Sequence, residues 1–83
     1  MSFHDEIIEL LVKTAVELFN VDPSTLGDET DFKKDLMAKS TDIVKFTVVL
    51  EEQYDVEVPF MAFKRNSTFG DVVKYMSGLT GID

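Results

Sequence analysis

Few residues of this chain carry the chemistry of a catalyst, and they do not converge. It has one histidine, no cysteine and no tryptophan. His4 lies among the opening residues, where a solvated surface side chain is the expectation. With no second histidine and no thiolate, a zinc site has no ligand set. A Ser-His-Asp arrangement would have to pair His4 with Ser40, and no Gly-x-Ser-x-Gly elbow surrounds that serine. The run Asp28-Glu29-Thr30-Asp31 lacks the glycine and the terminal glutamate of a calcium loop, and reads as a solvated acidic turn. No glycine loop of the phosphate-cradling kind is present. Ser40, in Asp35-Leu36-Met37-Ala38-Lys39-Ser40-Thr41-Asp42, stands apart because it falls where a long connection gives way to a helix. Two readings are open there. Serine is a favoured N-cap, which would explain it by structure alone. The position also suits modification, since a phosphodiester at a helix start faces unpaired backbone N–H groups and the positive end of the dipole.

The elements that must position Ser40 have to come from a single small domain. A chain of 83 residues buries only about 60–65% of the surface its unfolded form exposes. No disulfide can staple it, and any thiol chemistry must come from a cofactor. Hydrophobic content of 45%, with seven phenylalanines and two tyrosines, is ample for a packed core. Sixteen acidic against eight basic residues give a net charge of −8, which repels phosphate backbones and excludes nucleic acid as the natural partner. The opening Met-Ser-Phe-His-Asp-Glu lacks the basic stretch of a secretory signal. The longest apolar run is far below the roughly 20 residues that span a bilayer, so no membrane insertion is expected. A monomeric, cytoplasmic protein follows as the expectation.

Along the chain, Ser2 followed by Asp5 predicts a capping box that opens a first helix over about 3–19. There the apolar positions from Phe3 to Phe19 share one broad face, and Asp5, Glu6, Glu9, Lys13 and Glu17 take the other. Asn20 and Asp22-Pro23 end it. Residues 20–39 form a connection longer than the roughly 12–15 residues that usually signal a functional loop. Phe32 and Leu36 are expected to pin it to the core, with a short helical turn near 23–26. A second helix is predicted over about 40–54. At 100° per residue, Ile43, Phe46, Thr47, Leu50 and Tyr54 share one face. Val44 and Val48 form a second stripe, beside Thr41, Lys45, Glu51 and Glu52, that a core does not require. The alternation in 54–59 is too short and too isolated to build a sheet, and Pro59 favours an extended Val58 in any fold. A helical turn over about 60–64 follows. A second capping box, Thr68 with Asp71, opens a last helix over about 69–77, with Gly78 and Gly81 fraying its tail. The expected fold is an all-α bundle of three main helices and one short helix, with a long first loop.

Three blocks, in this order and spacing, resemble acyl carrier proteins over nearly the whole chain. Asp35, Leu36, Ala38, Ser40 and Asp42 match the family's Asp-Leu-Gly-Ala-Asp-Ser-Leu-Asp attachment motif. Leu50-Glu51-Glu52-Gln53-Tyr54-Asp55-Val56-Glu57-Val58-Pro59 is similar to its Leu-Glu-Glu-Glu-Phe-Asp-Ile-Glu-Ile-Pro. Thr68-Phe69-Gly70-Asp71-Val72-Val73-Lys74-Tyr75 resembles its Thr-Val-Gly-Asp-Ala-Val-Asp-Tyr. The resemblance implies a carrier, not an enzyme. A phosphopantetheinyl transferase would attach 4′-phosphopantetheine from coenzyme A to Ser40, and the arm's thiol would hold an acyl group as a thioester. Acyl-transferring or condensing enzymes of fatty-acid, lipid or polyketide-type biosynthesis would be its further partners. Phe46, Leu50, Val58, Met61 and Phe63 would line the space for the acyl chain, with ordinary core packing as the competing reading of each. Burial there would stabilise the chain by about 0.8 kcal/mol per methylene.

The departures from the pattern lie on the surface that partners would read. Lys39 replaces the usual Asp before the serine, Met37 the Gly and Thr41 the Leu, and Lys45 stands where Glu is common. Phe60, Met61 and Phe63, then Lys64 and Arg65, replace a typically acidic stretch. The second helix thus mixes Asp42, Glu51 and Glu52 with Lys39 and Lys45, and residues 1–38 carry nine acidic and three basic side chains. Changed rim charges alter encounter rates and partner choice more than fold. A specialised carrier is the expectation, docking through Lys39, Thr41, Asp42, Val44, Lys45, Val48, Glu51, Glu52 and the Phe60 to Phe63 region. The alternatives are a peptidyl or aminoacyl carrier, and an unmodified helical interaction module that keeps the carrier fold.

Overall fold

In a computed structural model describing residues 2–81, the first helix begins where the sequence supplies an acceptor. Ser2 is the N-cap of α1 (Phe3–Phe19), and its hydroxyl accepts the Asp5 N–H at 3.1 Å. The Asp5 carboxylate also faces His4 Nδ1 at 3.2 Å. Asn20 closes the helix in the left-handed region, φ 54°, a conformation asparagine tolerates. Phe3, Ile7, Leu11 and Ala15 are buried along one stripe, as the helical period demands.

The connection to the next helix carries a short 3₁₀ turn, Pro23–Thr25, whose Ser24 N–H and hydroxyl donate to the Asp22 carboxylate at 2.9 and 2.8 Å. Beyond it the chain zips onto the start of the last helix rather than crossing open solvent. Gly70 N–H donates to Asp28 O at 2.8 Å, Phe69 N–H to Thr30 O at 3.0 Å and Phe32 N–H to Ser67 O at 3.0 Å. Phe32 is the pin: it is buried, and its ring lies 5.1 Å from Phe46, 5.1 Å from Phe63 and 5.0 Å from Phe69, centroid to centroid. Leu36 is buried beside it.

Helix α2 (Ser40–Tyr54) buries Ile43, Phe46, Thr47 and Leu50, and the Thr47 hydroxyl is satisfied by Val44 O at 2.7 Å. Tyr54 is half-buried against the Phe3 ring at 5.3 Å. An extended linker follows, held by the Glu51 carboxylate, which accepts the Val58 N–H at 2.8 Å. α3 (Phe60–Arg65) presents Ala62 and Phe63 to the core. α4 (Phe69–Thr80) opens with the reciprocal Thr68–Asp71 box. It continues through Gly78 to Thr80 and stops at Gly81, φ 75°. The expected fraying at Gly78 does not occur, since Met76 is fully buried and the Gly81 N–H closes onto Ser77 O. α1 packs on both α2 and α4, and α3 bridges α2 and α4.

Candidate functional site

Ser40 is the first residue of α2, not its cap. Lys39 occupies the N-cap with extended backbone, φ −90° and ψ 170°, and its N–H donates to Asp42 Oδ2 at 2.9 Å. Lysine has no acceptor atom, so Asp42 alone performs the capping. The Ser40 hydroxyl is thereby relieved of a structural duty. It is exposed and makes no hydrogen bond among the described residues. The N-cap reading of Ser40 is corrected accordingly.

The loop before it is closed on itself by its own hydrogen bonds. The Asp31 carboxylate accepts both Lys33 and Lys34 N–H at 2.8 Å, and Asp35 Oδ2 accepts the Asp31 N–H at 2.7 Å. The Lys34 N–H above all, then the Lys33 N–H and the two lysine charges, hold the Asp31 carboxyl below its ordinary 3.8. Ala38 N–H returns to Phe32 O at 2.9 Å, and Met37 N–H to Lys33 O at 3.1 Å. Met37 pivots the chain into α2 at φ 53° and is 79% exposed. That left-handed angle is the physical reason a glycine suits this place in the motif.

Ser40 opens onto a cavity of about 440 Å³ between α2 and α3, within the roughly 300–1,000 Å³ of small-molecule clefts. Phe32, Ile43, Phe60 and Phe63 form its apolar wall, and Lys33, Lys39 and Lys64 stand around it. The Lys64 ammonium sits 5.7 Å above the Phe60 ring centre, a cation–π distance.

The structure distributes the expected lining residues unequally. Phe63 lines this cavity. Phe46 and Leu50 are fully buried and Val58 nearly so, in the closed core. Met61, expected in the same set, is 53% exposed and takes no part in the cavity wall. The correction follows from helix geometry: Ala62 and Phe63 take the inner side of the short α3, and the residue before them falls about 100° away. On the outer side of α2, Val44 at 46% and Val48 at 42% exposure run beside exposed Thr41, Lys45 and Glu52. Asp42 and Glu51 are committed elsewhere, one to capping α2 and the other to the Val58 N–H.

Of the residues lining the cavity, Phe32, Lys33, Ala38, Ile43, Lys64 and Ser67 were not among the site residues expected from sequence, and Phe60 was expected only as part of the docking region. Phe60 and Lys64 stood out as departures from the family pattern, and that was the available signal; nothing local marked Lys33. His4 is exposed, as expected of a surface residue, and it also faces two carboxylates. Its Nε2 lies 2.6 Å from Asp28 Oδ2 and its Nδ1 3.2 Å from Asp5 Oδ1. Asp28 chiefly, then Asp5, raise its pKa above 6.5 by favouring the imidazolium. Among the described residues no cluster of side chains has the make-up of a metal site. No helix there is long and apolar enough to cross a membrane.

A family model described as the phosphopantetheine attachment site matches residues 9–76. The acyl carrier protein of Wolinella succinogenes is 37% identical over 76 residues, covering 92% of this chain and 95% of its own length. That of a Sulfurovum species is 32% identical over 79 residues, 95% of this chain and all of the relative. That of Helicobacter pylori is 36% identical over 70 residues, 84% of this chain and 90% of the relative. The prosthetic group such a carrier needs has a place to fit here, since an unpartnered serine hydroxyl opens on an apolar cleft ringed by cations. The chain belongs to the acyl carrier protein family, and as such is a phosphopantetheine-dependent carrier of acyl groups rather than an enzyme.

Proposed function

We propose that this chain is a specialised acyl carrier whose attachment residue is Ser40. A phosphopantetheinyl transferase uses the Ser40 hydroxyl as its acceptor: the oxygen gains the phosphoryl bond, and its proton and the nucleotide half of coenzyme A leave. The arm so attached supplies a thiol that holds the acyl group as a thioester. The observation that carries the assignment is the Ser40 hydroxyl itself, exposed, free of structural hydrogen bonds and seated at the rim of the cleft.

The chain's own residues then divide the work. Asp42 fixes the start of α2, so that Ser40 is presented at one orientation. Phe63 closes the inner end of the cleft, with Phe46, Leu50 and Val58 behind it. An acyl chain enters by parting α3 from α2 and takes up room among these residues, gaining about 0.8 kcal/mol per buried methylene. Met37, Val44, Val48 and Met61 are the exposed apolar residues offered to partners, with Lys39, Thr41, Lys45 and Glu52 around them. Delivery is to acyl-transferring or condensing enzymes of fatty-acid, lipid or polyketide-type biosynthesis, and the altered rim supports a dedicated pathway over bulk fatty-acid synthesis.

The deciding measurement is intact mass before and after incubation with coenzyme A and a broad-specificity transferase. One added phosphopantetheine is expected on the wild-type chain and none on Ser40→Ala. A gain on the alanine variant would place the attachment elsewhere. No gain with several transferases, the chain being folded, would favour a helical interaction module that keeps the carrier fold. Aminoacyl rather than acyl loading of the modified chain would favour a peptidyl carrier.

A further inference from the structure

Lys33, Lys39 and Lys64 line the cleft that Ser40 opens into. Among the described residues the ion pairs within 4.0 Å are those of His4, so none of these three ammonium groups is matched by a carboxylate at that range. The Lys33 ammonium acts on Asp31 through its field, its backbone N–H being the group bonded there, and Lys64 has the Phe60 ring beneath it. Their gathering runs against composition. Residues 33–50 and 60–65 hold six basic and two acidic side chains, while the chain as a whole is −8, which leaves −12 on the remainder. Cations brought to one cleft without counter-charges repel one another, so a resident anion would relieve them.

The anion that the site itself provides for is the one tethered to Ser40. A phosphate bonded to that hydroxyl cannot leave the neighbourhood, and tethering gives it an effective concentration in the millimolar range or higher. Weak ammonium–phosphate contacts are then enough to hold it. Lysine suits this as a mobile point charge, and each charge-assisted bond is about twice as strong as a neutral one. We propose that Lys33, Lys39 and Lys64 form a cradle for the phosphodiester of the Ser40-linked arm and lay the arm's first segment along Phe60 and Phe63. The inference rests on the carrier reading and deepens it. The arm is docked on the body when no partner is present, and a partner that displaces the lysines frees it to swing.

The test is phosphorus NMR of the modified protein, made with coenzyme A and a transferase and checked by intact mass for one arm per chain. In the wild type the phosphodiester should relax with the slow tumbling of the whole protein. In Lys39→Gln/Lys64→Gln it should relax as a freely rotating group, and Lys39→Arg/Lys64→Arg should restore the slow behaviour. Raising salt from about 0.1 to about 1 M, which shortens the screening length from about 10 to about 3 Å, should free the wild-type phosphate in the same way. A wild-type phosphate that tumbles freely, unchanged by variants and salt, overturns the cradle while the carrier reading stands. Absence of any mass gain on the wild type overturns the carrier reading, and the cradle with it. Should the glutamine variant resist modification, the salt series on the wild type decides.

Discussion

At the scale of single residues, the positions that depart from the family motif show what each residue contributes. Met37 holds a left-handed backbone at φ 53°, which costs an L-residue about 1–2 kcal/mol. Glycine would remove that strain but lose about 0.5–1 kcal/mol of chain entropy. Met37→Gly is therefore expected to stabilise the fold by up to about 1 kcal/mol in chemical denaturation. It should also slow partner enzymes, because a side chain 79% exposed near Ser40 disappears. A loss of stability would show that the methionine has a structural role. His4 sets a pH dependence. Its protonated ring is favoured by Asp28 and Asp5, so its folded pKa lies above the ordinary 6.5. The stability it adds is fully present below pH 6.5 and is lost as pH rises through the raised value. The thermal midpoint should fall over that window, and His4→Gln should flatten the fall. The effect should be modest and shrink with salt, because the pair is open to solvent. Asp5 works in the opposite direction. Lowered chiefly by His4, it adds stability above pH 3.8 that is lost as pH drops through its folded value.

At the scale of elements, the loop before α2 determines whether Ser40 is presented at all. Its anchor is Phe32, which touches the rings of Phe46, Phe63 and Phe69. Phe32→Ala should cost about 3–5 kcal/mol, against a total of about 5–15 kcal/mol for a domain. Thermal melting should show the variant partly unfolded at ambient temperature if the wild type lies at the low end. Glu51 acts on the linker between α2 and α3 through the Val58 N–H. In Glu51→Ala that amide should exchange with solvent markedly faster than in wild type, while amides at the centre of α1 keep their rates. Equal exchange in both proteins would show that the linker is held by packing alone. The helices themselves were legible from period and caps, because those signals are local. The zipper of Asp28, Thr30 and Phe32 against Ser67, Phe69 and Gly70 was not. A methyl at Gly70 would sit 3.1 Å from Asp28 O, which explains that glycine, yet the reason appears only once residues distant in sequence are placed side by side.

For the molecule as a whole, charge separation is the feature with functional weight. Lys33, Lys39 and Lys64 line the cleft at Ser40, while the residues outside 33–50 and 60–65 carry a net charge of −12. Partners that approach an ordinary carrier with basic patches meet a weakened field here, so encounter with them should be slow. Lys39→Asp/Lys45→Glu is expected to raise the rate at which a housekeeping ketosynthase uses the loaded protein by about ten-fold at low salt, with the gain vanishing at high salt. If that enzyme used the wild-type chain as readily as an ordinary carrier, the specialised reading would fail.

By itself the sequence established an all-α class, the helix starts at Ser2 and Thr68, Phe32 and Leu36 as loop anchors, and the family through its three ordered blocks. Each of these rests on spacing over a few residues, which survives without knowledge of the path between. Tertiary structure alone decided that Lys39 takes the cap and leaves the Ser40 hydroxyl free, that Met61 faces outward while Phe63 closes the cleft, and that His4 meets Asp28. It also brought Lys33 and Lys64 to one cleft from opposite sides of α2 in sequence. Such outcomes depend on how the long loop and the short α3 fold back on α2, and that path is set by the packing of the whole core around Phe32.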